Sequence, residues 1–256
     1  MLRVILTGCN GQMGQVLTRM IAQEPDMEVV AGIDIAEDAA APYPIYSSLR
    51  AVQEEADVVI DFSTASAVDD LLATCAAKKL PLVLCTTGLS ELQISHIQSA
   101  SQGIPILRSA NMSLGVNLLM KLVKDAARIL APAGYDIEII EQHHRRKIDA
   151  PSGTALALAD SINEELDSAY HYTYDRSGRR EQRDTKEIGI SSVRGGSIVG
   201  EHDVIFAGED EVLTLRHSAY SRAIFARGAM TAATFLCGKT AGLYSMEDVI
   251  SSSMEK

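Results

Sequence analysis

The sequence has no stretch of about 18 residues that is both apolar and free of charge, so no membrane-spanning helix is expected. Cysteine is sparse and nowhere in CxxC spacing. Cys9, Cys75, Cys85 and Cys237 are scattered, which argues against a structural zinc site or a thioredoxin-like motif. Their positions in apolar segments predict reduced, buried thiols in a reducing compartment. Positive charge is short: 23 Lys and Arg stand against 34 Asp and Glu, a formal net charge of −11. Such a surface repels nucleic acid and anionic membrane, and neither is expected as a partner. The opening residues 1–8 carry an apolar run too short for a secretory signal, so they are read as a strand and the protein as cytoplasmic. No internal repeat or low-complexity tract appears. What remains is a 256-residue chain, 46% hydrophobic and 22% charged, which excludes a disordered, collagenous or coiled-coil protein. Its length suits one or two domains with their own cores.

The first half alternates between two periods. Short apolar runs at Val4-Ile5-Leu6, 29–33, Val58-Val59-Ile60, Leu82-Val83-Leu84 and 104–107 read as strands. Between them lie helical patterns at 12–23, 66–78 and 90–100; in the first, Met13, Val16, Leu17, Met20 and Ile21 share one face. Strands alternating with helices predict a Rossmann-like, doubly wound parallel α/β sheet. A long helix is predicted over 113–130, broken by Ala131-Pro132-Ala133-Gly134. Then follow a strand at 137–140, a helix at 153–166, a polar loop over 172–187 and three strands at 188–194, 198–206 and 211–217. This grouping predicts a second, α+β domain. A last helix is predicted at 222–237.

Gly8, Gly11 and Gly14 follow the first strand and open a helix. Glycine there permits a tight turn and close approach of a pyrophosphate to the helix N-terminus. The spacing is GxxGxxG, a variant of the dinucleotide fingerprint, and an ordinary strand-to-helix turn is the plain alternative. Asp34 ends the second strand, where an acid accepts hydrogen bonds from an adenosine ribose; a simple loop cap is its plain alternative. The residues after it are Ile35, Ala36, Glu37 and Asp38. None is basic, so a 2′-phosphate meets repulsion and NADH is expected over NADPH. Two further loops, Cys85-Thr86-Thr87-Gly88 and Ser109-Ala110-Asn111-Met112, sit at carboxyl ends of predicted strands, where ligands of such sheets gather.

The segment from Glu141 to Ala155, EQHHRRKIDAPSGTA, places His143, His144, Arg145, Arg146 and Lys147 between a strand and a helix of an otherwise acidic chain. Local positive charge points to a small anionic ligand. Histidine exchanges protons near neutrality, and lysine supplies a charge or a proton. Pro151-Ser152-Gly153-Thr154 begins a helix whose N–H groups suit a carboxylate. A solvated basic turn and a plain helix start remain the alternatives. No acid or cysteine spacing completes a metal site around the histidines, and no metal is expected.

This segment resembles the signature of the dihydrodipicolinate reductase (4-hydroxy-tetrahydrodipicolinate reductase) family. The resemblance extends over nearly the whole chain. It includes Gly8 to Gly14, Asp61-Phe62-Ser63, Thr86-Thr87-Gly88, Asn111 to Asn117, Arg194-Gly195-Gly196, Gly200-Glu201-His202 and His217 to Arg222. It implies a dinucleotide-binding domain of residues 1–112 plus 221–256. It also implies a substrate-binding domain of residues 113–220 with an open mixed sheet that builds a homotetramer. It implies that His143 is the proton donor and acceptor and Lys147 a second proton donor. His144, Gly153 and Thr154 would bind a cyclic dicarboxylate. Gly8, Cys9, Asn10, Gly11, Gln12, Met13, Asp34, Cys85, Thr86, Thr87, Ser109, Ala110, Asn111 and Met112 would contact the cofactor. Gln12 and Ile35 stand where some members carry basic residues, which weakens a 2′-phosphate site, although NADPH stays possible. Another two-domain dehydrogenase, or a nicotinamide-binding regulator, are the rival readings on the same scaffold.

Overall fold

The computed structural model describes residues 1–36 and 41–254. The expectation about Glu37 and Asp38 therefore lies outside the described residues. The chain divides into two compact units, Met1–Leu114 with Ala223–Lys256, and Gly115–Arg222.

In the first unit β1 (Leu2–Thr7), α1 (Gln12–Ile21), β2 (Met27–Ile33), β3 (Ile45–Tyr46), β4 (Val58–Asp61), α2 (Val68–Lys78), β5 (Leu82–Leu84), α3 (Glu91–Ala100) and β6 (Pro105–Arg108) follow one another. The second unit holds α4 (Leu114–Leu130), β7 (Asp136–His143), α5 (Gly153–Glu165), β8 (His171–Thr173), β9 (Glu187–Arg194), β10 (Gly200–Ala207) and β11 (Val212–Ala219). The chain then returns to the first unit with α6 (Ala223–Leu236), β12 (Gly242–Tyr244) and α7 (Met246–Met254).

The first sheet has seven parallel strands in the order β12-β6-β5-β4-β1-β2-β3. The near-continuous apolar runs are explained by burial on both faces. Val4, Leu6, Val58, Ile60, Val83 and Leu107 face one core with Leu17 and Ile21 of α1 and Ala229 and Ala233 of α6. Their neighbours Ile5, Val59, Leu82, Leu84 and Ile106 face the other, with Leu71 and Leu72 of α2 and Ile97 of α3. The period of two thus divides each strand between two helical layers. The strand order reverses between β1 and β4, the place where such sheets open a crevice for a ligand.

The second sheet has five strands in the order β11-β10-β7-β9-β8. β10 runs antiparallel to β7 and β11, while β9 runs parallel to β7 and β8, so the sheet is mixed. β7 alternates strictly, burying Ile137, Ile139, Glu141 and His143. Its isoleucines meet Ile188, Ile190, Val204 and Phe206, and α4 and α5 cover them with Leu119, Val123, Leu158 and Ile162. Beyond the apolar stretch the same face turns polar, which is where the chemistry of this unit gathers.

The structure departs from the sequence reading in four places. β3, β8 and β12 have only two or three residues, too few to show a period. α7 carries Val249 and Ile250 into the core among serines and acids. The segment 172–187 is not wholly an exposed loop: β8 takes its start, Thr173 and Glu187 are buried, and Arg183 reaches Asp136 at 2.7 Å and Glu138 at 3.1 Å. Cys237 is exposed, unlike the other three cysteines, because α6 ends at Leu236 and leaves it in a turn.

Phe206 is fully buried at the centre of the second core. Phe206→Ala is expected to lower the stability of this unit by about 3–5 kcal/mol. Native-state hydrogen exchange of the β7 and β10 amides measures this, and unchanged protection would contradict the core assignment.

Candidate active site

In the first unit the candidate residues gather at the carboxyl ends of β1, β2, β5 and β6. Gly8 follows β1 with φ +71°, and a Cβ on it would stand 2.5 Å from the Phe62 carbonyl oxygen. A Cβ on Gly14 would stand 2.3 Å from the Gly8 carbonyl oxygen, so the first turn of α1 lies directly against the loop backbone. Gly11 is the N-cap of α1 and brings no side-chain acceptor. An anion therefore meets backbone at this helix start, as a pyrophosphate requires. The Asn10 N–H donates to Asp34 Oδ2 at 3.0 Å, and Asn10 Nδ2 donates to the Ala36 carbonyl at 2.6 Å. These bonds fix the Asp34 carboxylate beside the glycine turn. Ile35 is fully exposed. Cys9 is buried, while Gln12 and Met13 begin α1.

Cys85 and Thr86 are buried after β5, and Thr87 is exposed beside Gly88 at φ +72°. After β6, Ser109 Oγ donates to the Asn111 carbonyl at 2.7 Å and the Ser113 N–H donates to Asn111 Oδ1 at 2.9 Å. Ala110 is exposed at this bend and Met112 is buried behind it. The backbone cradle, the fixed carboxylate at the β2 end and the hydroxyl-lined loops fit a nicotinamide dinucleotide.

In the second unit the chemistry centres on Glu141, which is completely buried. Arg194 grips it with two donors, Nη1 to Oε2 at 2.7 Å and Nη2 to Oε1 at 2.6 Å. The Ser152 N–H donates to Oε1 at 3.1 Å. His143 Nδ1 lies 2.6 Å from Oε2. With the carboxylate ionised, Nδ1 carries the proton and Nε2 is left for a ligand. Gly200 leaves room there, since a Cβ on it would stand 3.0 Å from Nε2.

Ser152 caps α5, accepting from the Ala155 N–H at 3.1 Å. Its hydroxyl also meets His202 Nε2 at 3.0 Å. Gly153 opens the helix with open space where a Cβ would be. Lys147 Nζ pairs with Asp149 at 2.8 Å, and the Lys147 N–H donates to the His144 carbonyl at 3.0 Å, closing the basic turn. Thus His143, His144, Lys147, Gly153 and Thr154 all lie on the turn and helix start that follow β7. Glu141, Arg194, Gly200 and His202 belong to the same cluster, although the sequence reading gave them no role, and so does Ser152, which it read only as part of the helix start. Among the described residues no group of three or more His, Cys, Asp or Glu side chains is set to hold a metal.

The charges are tuned by burial against hydrogen bonding. Burial alone would push the Glu141 carboxyl up, but donors from Arg194, Ser192 and His143 hold it down at about 2. Burial lowers His143, and the Lys147 and Arg194 charges add to it, while Glu141 pulls the other way. His202 is lowered to about 4, first by burial and then by repulsion from His143. Burial lowers His217, its cross-strand partner, as well.

These shifts predict acid sensitivity. Below its ordinary value near 6.5, His202 in the unfolded chain binds a proton that the folded protein refuses. Its contribution is fully present above pH 6.5 and is lost as the pH falls toward about 4, a total of about 3 kcal/mol. His143 and His217 act in the same direction. Denaturant unfolding at stepped pH is expected to show this slope, and His202→Gln is expected to flatten it; an equal slope in the variant would assign the effect elsewhere.

Comparison with known proteins places this geometry. Residues 2–112 match the family model described as dihydrodipicolinate reductase, N-terminus, and residues 115–250 match the one described as dihydrodipicolinate reductase, C-terminus. A 4-hydroxy-tetrahydrodipicolinate reductase of Caldanaerobacter subterraneus is 54% identical over 250 residues, covering 98% of each chain. One from Clostridium tetani is 46% identical over 252 residues, again covering 98% of each. A dipicolinate-bound dihydrodipicolinate reductase from Paenisporosarcina superposes with a TM-score of 0.84 at 28% identity, covering 97% of this chain and 99% of its own. An aspartate dehydrogenase from Thermotoga maritima, at 10% identity and a TM-score of 0.54, shares the fold alone. With both halves matched in order and relatives this similar along their full lengths, the chain belongs to the dihydrodipicolinate reductase family.

Proposed function

We propose that the protein reduces 4-hydroxy-tetrahydrodipicolinate to tetrahydrodipicolinate with a reduced nicotinamide dinucleotide, in lysine and diaminopimelate biosynthesis. The observation that carries this reading is His143, held through Nδ1 by buried Glu141 and followed by Lys147 and an α5 start suited to a carboxylate. The names of full-length relatives support the same activity.

In this reading residues 1–112 and 221–256 bind the dinucleotide. Gly8 to Met13 receive the pyrophosphate and Asp34 the adenosine ribose, while Cys85 to Thr87 and Ser109 to Met112 line the nicotinamide side. The bound cofactor supplies a hydride from its nicotinamide ring. NADH is the preferred form, because Asp34 occupies the ribose position and neither Ile35 nor Ala36 offers a cation to a 2′-phosphate. NADPH is the second donor.

Residues 113–220 bind the substrate and build a homotetramer. Lys147 and His144 meet the cyclic dicarboxylate together with the Gly153 and Thr154 N–H groups, which the N-cap Ser152 holds in place. Lys147 then exchanges its Asp149 partner for the ligand. Reduction leaves an electron-rich nitrogen and carbon that take up a proton, and His143 Nε2 or the Lys147 ammonium delivers it. The 4-hydroxyl leaves as water, with a hydrogen of the adjacent ring carbon, before hydride transfer, so the net balance is one hydride and one proton taken up and one water released. No helix among the described residues is long and apolar enough to cross a membrane.

Substrate made in situ from pyruvate and aspartate semialdehyde is expected to drive loss of the reduced-nicotinamide absorbance, faster with NADH than with NADPH. Faster NADPH oxidation would keep the reaction and refute the reading of residues 34–36. His143→Ala and Lys147→Ala are each expected to lower kcat by about 10²–10⁴-fold with NADH affinity retained. Full turnover in either variant would remove that residue from proton delivery.

Glu141→Gln gives a sharper outcome. Loss of the carboxylate removes the influence that holds the His143 pKa up, so burial and the Lys147 charge drive it lower. Because His143 must be protonated to deliver a proton, the basic limb of the kcat/KM profile is expected to move to lower pH, with kcat reduced. An unmoved limb would exclude His143 as the group that titrates there.

A further inference from the structure

Asp61 is the last residue of β4 and has no solvent exposure. Its carboxylate accepts from Thr7 Oγ1, from Ser63 N at 3.2 Å, from Ser63 Oγ at 2.6 Å and from Thr86 Oγ1 at 2.6 Å. Thr7 ends β1 and Thr86 follows β5, so one carboxylate ties the ends of three adjacent strands at the point where the sheet order reverses. All four donors are neutral. Its field reaches the thiols of Cys75 and Cys85, which are held up first by burial and then by Asp61.

Tying the loops does not by itself require an acid. An asparagine of the same shape would hold three hydroxyl groups that are free to turn. A buried charge without a cation is unfavourable unless something else offsets it. Asp34 assigns the adenosine half to the β2 end, so the nicotinamide half falls on the other side of the reversal, over the ends of β4 and β5. The nicotinamide ring is neutral before it gives up its hydride and cationic afterwards. We propose that Asp61 is a positioning residue whose buried negative charge, fixed by Thr7, Ser63 and Thr86, favours the oxidised, cationic nicotinamide and so makes bound NADH a stronger hydride donor. The proposal rests on the dinucleotide reading of this unit.

The test is equilibrium binding of NAD⁺ and of NADH, each without substrate, to the full-length protein. Asp61→Asn is expected to raise the ratio Kd(NAD⁺)/Kd(NADH) by about tenfold or more, tenfold being the size of one charge pair about 12 Å apart at an effective dielectric of about 20. A structural role alone would weaken both forms equally, and an unchanged ratio would overturn the proposal. Thr7→Val removes one strut and keeps the charge, so its ratio is expected to match the wild type; a shift equal to that of Asp61→Asn would also overturn it. Should Asp61→Asn fail to fold, the wild-type protein decides. It is expected to bind NAD⁺ about tenfold tighter than benzamide adenine dinucleotide, an isostere whose ring carries no charge, and equal affinity would refute the charge effect. Failure of the wild type to bind either NAD⁺ or NADH would instead refute the dinucleotide reading.

Discussion

The second unit depends on one buried carboxylate. Glu141 would be strongly unfavourable in the interior without partners, and it has them from three directions: Arg194 on β9, the backbone of Ser152 before α5, and His143 on its own strand. Each partner is oriented in return. Arg194 keeps the carboxylate charged, the charged carboxylate sets the His143 proton on Nδ1, and the Ser152 contact seats the start of α5. An imidazole and the start of a helix are thus held by the same two oxygens. Removal of one partner leaves a charge stranded, so the cluster stands or falls as a unit.

The division of labour along β7 shows how little sequence is needed to build such a device. Ile137 and Ile139 anchor the strand beneath α4 and α5, and the next two residues on that face are Glu141 and His143. The period of two that buries the isoleucines necessarily buries the acid and the imidazole after them. Burial is what depresses the histidines and what makes the Arg194 bridge necessary.

Much of this was legible in advance. The apolar runs of β1, β4 and β5 and the helices between them carry clear periods, because each element must cover the next. β3 and β12 were not legible, since two or three residues carry no pattern. In the site, His143, Lys147, Gly153 and Thr154 lie within a dozen residues and announce themselves by composition. Glu141 was readable in principle, two positions before His143 on the same strand face. Arg194 and His202 entered only as part of the family resemblance, with no role attached, because their partners lie 53 and 50 residues away and meet only in the folded chain. Asp61 likewise entered only within the resemblance, with no role: its partners come from three strand ends, and a lone acid closing a strand looks like any turn residue.

The close stacking of Gly14 on the carbonyl of Gly8 has a further consequence for how this protein family can diversify. At Gly8 and Gly14 an inserted carbon collides with main chain rather than with something that can swing aside. The turn is therefore closed to gradual change. Ile35, by contrast, is fully exposed just beyond the end of β2. A change of side chain at that exposed position meets little packing, whereas one in the glycine turn meets main chain at once.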